Sequence, residues 1–106
     1  MKIISWNVRG LNASDKRQRI KQVIDSLQGD IILLQETKLN ENNFDKIIAS
    51  WKKWKAYHMQ GLGASRGLAV LWNPLKVNSQ LLCQESNWQL IHITACDISF
   101  IMFNVY

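Results

Sequence analysis

Beyond Lys76 the chain contains no lysine or arginine, and its last thirty residues carry only Glu85 and Asp97 as charged side chains. Proline occurs once, at Pro74, and glycine five times. That scarcity excludes collagen-like and low-complexity classes, and no linker or internal repeat breaks the chain. The two cysteines, Cys83 and Cys96, lack both CxxC spacing and nearby histidine pairs. A zinc cluster is therefore excluded, and two buried strand thiols are expected. No apolar run approaches the roughly 18 residues of a membrane span. Only Ile3-Ile4 separates Lys2 from polar Ser5, too little for a signal-peptide core. A nuclear or cytoplasmic protein, neither secreted nor membrane-bound, is expected, so the acceptor-like Asn12-Ala13-Ser14 counts as chance. In Gly61–Gly67, Arg66 stands where a dinucleotide loop needs its third glycine, and a strand follows, which excludes that motif.

What is present suits one domain or part of one. The 106 residues are 47% hydrophobic with five tryptophans, enough for a packed core. Net charge is +5, from 13 Lys+Arg against 8 Asp+Glu, which favours anionic partners and nucleic acid first. The basic charge lies in the first three quarters, so the last thirty residues are expected to be mostly interior.

The most informative stretch is Asp30–Lys38, DIILLQETK. Four apolar residues, Ile31–Leu34, end at Gln35-Glu36-Thr37, as in a strand buried on both faces. Upstream, Lys2–Val8 reads as a first strand ending near Asn7. Ser14 or Asp15 can cap a helix, with Gln18 placed to reach back. Ile20, Val23, Ile24 and Leu27 form one apolar helical face, and Lys16, Arg17, Arg19 and Lys21 crowd the other. Gly29 supplies the helix stop. Strand, helix and buried strand make a βαβ unit with parallel strands and a right-handed crossover. Asn7 and Glu36 then emerge on the same rim, where an amide and a carboxylate form half of a hard-cation or phosphate site.

Asn40 is expected to cap a second helix carrying Phe44, Ile47, Ile48 and Trp51. Strands are expected at Trp54–Met59 and Gly67–Trp72, then in hairpins at Val77–Glu85, Trp88–Ala95 and Ile98–Val105, turning at Asn87 and Asp97. The last strand is apolar on both faces, as inside a sandwich. Its long apolar edge calls for a cover, either pairing with another chain or further sequence. Trp51 and Trp54 beside three lysines suit core packing better than base stacking.

Four segments occur in register: SWNVRGLN (Ser5–Asn12), LLQETKL (Leu33–Leu39), GLAVLWN (Gly67–Asn73) and NVY (Asn104–Tyr106). Together the chain resembles the amino-terminal half of the endonuclease/exonuclease/phosphatase superfamily, and within it the apurinic-endonuclease-like domains of plant non-LTR retrotransposons. The resemblance implies an α/β fold. Residues 1–106 would form an incomplete, DNase I-like, four-layered α/β sandwich that begins β-α-β and continues in mostly antiparallel strands. It also implies Mg2+-dependent hydrolysis of nucleic-acid phosphodiesters, with Mn2+ as the alternative ion and DNA as the leading partner. Carried over by motif, Glu36 is the metal carboxylate, Asn7 supports the site's hydrogen bonds and the metal, and Tyr106 contacts the phosphate region.

The departures bear on activity. Arg9 stands where many relatives carry an acid. The family's Gly-Asp-x-Asn motif and closing Asp-His pair have no counterpart in these 106 residues. His58 and His92 have no acid beside them in sequence, so neither is assigned as the base. The chain alone is therefore expected to be inactive, or nearly so. A non-catalytic fragment that binds nucleic acid or protein is the alternative, and a third reading stays in the enzyme class but changes the substrate to a sugar or lipid phosphate.

Overall fold

The computed structural model describes residues 1–61 and 66–106, so the middle of the Gly61–Gly67 loop lies outside the described residues. The elements in order are β1 (Ile3–Asn7), α1 (Ser14–Leu27), β2 (Ile31–Gln35), α2 (Glu41–Ser50), β3 (Lys55–Met59), β4 (Leu68–Trp72), β5 (Asn78–Glu85), β6 (Trp88–Ala95) and β7 (Ile98–Val105). β1 and β2 are parallel, with Asn7 opposite Gln35. β2 and β3 each pair antiparallel with β4, giving one sheet of order β1-β2-β4-β3. β5, β6 and β7 form a second, antiparallel sheet.

The alternation of side chains along β2 and β4 builds two cores, one on each face of the first sheet. Ile32, Leu34, Ala69 and Leu71 meet Ile20 and Ile24 of α1, Phe44 of α2, and Trp51 and Trp54. The opposite set, Ile31, Leu33, Val70 and Trp72, meets Val77, Ile91 and Ile93 under the second sheet. This is why an uninterrupted apolar run was needed in β2: both faces are covered. Helices, first sheet and second sheet give three of the four expected layers.

That fits the incomplete sandwich expected; the main departure from expectation lies in β7. β7 is not a sandwiched strand. Phe100, Met102 and Asn104 face inward, while Ile101 and Phe103 on the other face are 60% and 56% exposed. Among the described residues nothing covers this outer face, so the low charge of the last thirty residues does not report burial. The cysteines depart likewise. Cys83 and Cys96 are both exposed, Cys83 beside a bulge in β5 and Cys96 in the β6–β7 turn.

Helix ends also differ in detail. Ala13 is the N-cap of α1 and offers no side-chain bond, so neither Ser14 nor Asp15 caps it. Arg17 instead ties the loop down, donating from Nη1 to the carbonyls of Leu11 (2.9 Å) and Asn12 (2.7 Å). At the other end Gln28, not Gly29, takes the left-handed position (φ 52°). Gly29 is closely packed, since a Cβ there would lie 2.7 Å from Ile4 Cδ1 and 2.9 Å from Ile32 Cδ1 and those side-chain ends would have to shift. Val23 and Leu27 are partly exposed, and only Ile20 and Ile24 are buried on α1. The expected cap of α2 is present: Asn40 Oδ1 accepts from the amide of Asn43 at 2.8 Å.

Candidate functional site

Glu36 directly follows the last residue of β2 and has φ 56°. Left-handed backbone is unfavourable for a residue with a Cβ and persists only when neighbours over-determine it. Lys38 is also left-handed (φ 55°). Between these two kinks, Thr37 is fully buried. The backbone is held from two sides. Gly10 N–H donates to Glu36 O (2.6 Å) and Leu11 N–H to Thr37 O (3.0 Å), both from the β1–α1 loop. Thr37 N–H donates at 3.1 Å to the carbonyl of Gly67, the residue just before β4. Gly67 has φ 133°, and a Cβ there would collide with Thr37 Oγ1.

Asn7 lies on the same rim as Glu36, as the parallel pairing requires. Its Oδ1 accepts from the amide of Arg9 at 3.1 Å, so part of its role is to shape the turn. Tyr106 reaches the rim from the second sheet. Its hydroxyl lies 3.4 Å from Glu36 Oε1, its amide donates to Asn87 O at 3.0 Å, and the Arg66 guanidinium lies 5.0 Å from its ring centre. All three site residues expected from sequence thus lie at one end of the β-sandwich. The oxygens of Glu36 and Asn7 are of the type taken by a hard cation that binds one or two carboxylates and keeps several waters. Among the described residues no group of three or more His, Cys, Asp or Glu forms a cation cage.

Several participants were not singled out as site residues from the sequence. His58, without an acidic neighbour in sequence, has one in space: its Nδ1 is 2.9 Å from Glu41 Oε1, and its Nε2 is 2.9 Å from Thr37 Oγ1. Its ring stacks on Phe44 at 4.1 Å and 6°. Burial favours the neutral ring and lowers its pKa, against the pull of the Glu41 carboxylate. With its ring buried and both nitrogens engaged, His58 is not placed to serve as a general base at Glu36. Asn104, 1% exposed, bolts the two sheets together. Its amide nitrogen reaches Leu34 O, Ala69 O and Gln89 Oε1, and its oxygen accepts from Gln35 Nε2 at 2.8 Å. The signal for Gln89 and Asn104 was a polar residue at an inward position of an apolar strand, which becomes legible only once the face is known.

A groove of about 660 Å³ runs beside Asn7 between β1 and α1, lined by Trp6, Arg9, Lys16 and Arg19 among others. Lys16 Nζ donates to Arg9 O at 2.9 Å. Among the described residues, Arg19 has only a loose, exposed 3.9 Å pairing with Asp15.

A family model described as the endonuclease/exonuclease/phosphatase family matches residues 4–102. The chain belongs to that family. Across 57 residues, 54% of this chain, it is 42% identical to the Xenopus laevis DNA-(apurinic or apyrimidinic site) endonuclease 2, covering 11% of that protein. The Xenopus laevis APE2 catalytic domain superposes with a TM-score of 0.70 at 26% identity, covering 100% of this chain and 45% of that one. The D. rerio TDP2 complexed with single strand DNA product gives 0.71 at 19% identity, covering 95% and 43%. The α/β architecture of mixed and antiparallel sheets is thus that of the endonuclease/exonuclease/phosphatase fold. The chain spans less than half the length of these structures and about a tenth of the curated relative. No helix among the described residues is long and apolar enough to cross a membrane.

Proposed function

We propose that residues 1–106 are the amino-terminal portion of a nuclease domain whose chemistry is metal-dependent hydrolysis of nucleic-acid phosphodiesters, with DNA as substrate. The observation that carries this is Glu36, a carboxylate on a strained, over-determined turn at the end of β2, with the Tyr106 hydroxyl 3.4 Å away. Glu36 and Asn7 would hold Mg2+, or Mn2+ in its place. When bound, such an ion neutralises charge developing on the scissile phosphate. Tyr106 would orient a phosphate oxygen through its hydroxyl. The DNA named with the D. rerio relative and the retrotransposon-like motifs support DNA over a sugar or lipid phosphate. A nuclear or cytoplasmic location goes with that substrate.

On the same proposal the chain by itself is nearly inactive. Among the described residues it supplies one carboxylate at the rim, and the acid–histidine pair Glu41–His58 is occupied with Thr37. A missing general base typically costs about 10²–10⁴-fold in rate. The check is a supercoiled-plasmid nicking assay with Mg2+. No nicking above background is expected from the purified chain; nicking that vanishes in Glu36→Ala would establish a competent enzyme and overturn the claim of inactivity.

A second role is favoured by two surfaces. The Arg9, Lys16 and Arg19 groove suits a phosphate backbone. The uncharged edge of β7, beneath exposed Ile101 and Phe103, suits pairing with another strand. On this alternative the fragment binds nucleic acid or protein without cleaving anything.

A further inference from the structure

Three side chains form a continuous relay from the surface to the turn that carries Glu36. Glu41, the first residue of α2, is half exposed. Its carboxylate can only accept, so His58 Nδ1 carries the proton and donates to Glu41 Oε1 at 2.9 Å. Nε2 of the neutral ring then accepts from the Thr37 hydroxyl at 2.9 Å. The order hydroxyl, imidazole, carboxylate is that of a nucleophilic triad, but the setting rules out that chemistry. Thr37 is fully buried, the ring is covered by Phe44, and the backbone of Gly67 closes over Thr37 Oγ1. No substrate atom can reach the hydroxyl.

What the relay does hold is the turn. Thr37 is the peg between two left-handed residues, Glu36 and Lys38. Among the described residues its hydroxyl makes one hydrogen bond, to His58. Glu41 is itself fixed, since Oε1 also accepts the amide of Gln60 at 3.1 Å while Gln60 Oε1 accepts the amide of Glu41 at 3.1 Å. Rotation of the Thr37 peg would swing the adjoining Glu36 peptide, and with it the direction of the carboxylate.

We infer that His58 and Glu41 are positioning residues: through Thr37 they set the Glu36 carboxylate for divalent-cation binding. This rests on the proposal above that Glu36 is the cation's carboxylate. Groups that orient a ligand from behind commonly govern metal affinity although they never touch the metal. The three residues lie on β2's exit, α2 and β3, so the carboxylate is tuned in part from α2 and β3, which carry none of Asn7, Glu36 and Tyr106.

The test is a Mn2+ titration of the purified 106-residue chain, read by water-proton relaxation, beside thermal unfolding of each variant. Glu36→Gln should abolish binding. Thr37→Val, which keeps the shape and loses the hydroxyl, and Glu41→Ala should each weaken Mn2+ binding by about 10-fold or more. Thr37→Ser, which keeps the hydroxyl, should bind as the parent does. Parent-like affinity in both Thr37→Val and Glu41→Ala, with binding still lost in Glu36→Gln, would overturn the relay and leave the metal proposal standing. Undiminished binding in Glu36→Gln would overturn the metal proposal, and the relay with it. Should Thr37→Val fail to fold, Glu41→Ala decides alone, because Glu41 is half exposed and its loss opens no core.

Discussion

Asn104 of β7 accepts a hydrogen bond from Gln35 of β2 at 2.8 Å, across 69 residues of sequence and from one sheet to the other. The same amide donates to the carbonyls of Leu34 and Ala69. The sandwich therefore closes on a buried polar network placed directly behind the Glu36 turn. Tyr106, two residues beyond Asn104, is delivered to Glu36 by that closure.

Truncating Asn104 should cost the fold heavily. Asn104→Ala takes one hydrogen bond each from Gln35, Gln89 and the carbonyls of Leu34 and Ala69; Gln35 Nε2 keeps Ser5 Oγ and Leu33 O, and a buried group left with no partner costs about 1–3 kcal/mol. A urea melt of this variant, followed by circular dichroism, should show a clear drop in midpoint. An unchanged midpoint would mean that the sheets are held by their apolar faces alone.

Acid should destabilise the chain as His58 takes up a proton. Burial lowers the His58 pKa, opposed by Glu41 and Asp45. Between the unfolded value of about 6.5 and the lower folded value, the unfolded chain binds more protons, so stability falls as pH drops through that window. Asp30, whose pKa is lowered chiefly by its hydrogen bond from the Lys2 amide, contributes only at more acidic pH. The urea midpoint should be lower at pH 5.5 than at pH 7.5, and this difference should shrink in His58→Gln.

The outer face of the second sheet should drive self-association. Ile101 and Phe103 project from a strand that contains no charged residue. Ile101→Lys with Phe103→Lys adds charge at an open edge, the device that natural sheets use against edge pairing. Sedimentation velocity should show oligomers in the parent and a monomer in the double variant. A monomeric parent at high concentration would contradict this.

Basic residues of α1 should separate into two kinds. Arg17 is engaged by the carbonyls of Leu11 and Asn12, so Arg17→Ala should lower stability. Lys16→Ala with Arg19→Ala should instead weaken DNA binding and flatten its salt dependence, by about one unit of log–log slope for each phosphate no longer neutralised. Fluorescence anisotropy with labelled duplex DNA across a salt series reads both quantities. Equal slopes in parent and double variant would remove this face from the interface.

The sequence by itself determined the elements and their order. Periodicity is local, so the apolar run Ile31–Leu34, the βαβ unit and the Trp88–Ala95 and Ile98–Val105 hairpin were all legible from spacing and turn residues. It also placed Asn7 and Glu36 on one rim, because parallel strands joined by a helix must end on the same side.

Tertiary structure decided everything that depends on which residues meet across the chain. A strand with two apolar faces does not say whether both are covered, and in β7 one is not. Charge content did not report burial either: Cys83, Cys96 and Ile101 are exposed, whereas Gln89 and Asn104 lie inside. Glu41 and His58 are 17 residues apart and showed no pattern until α2 folded against β3. The carboxylate of Glu36 was visible in the sequence; what aims it is the packing of α2, β3 and β4 around Thr37, and packing is a long-range property that no local pattern encodes.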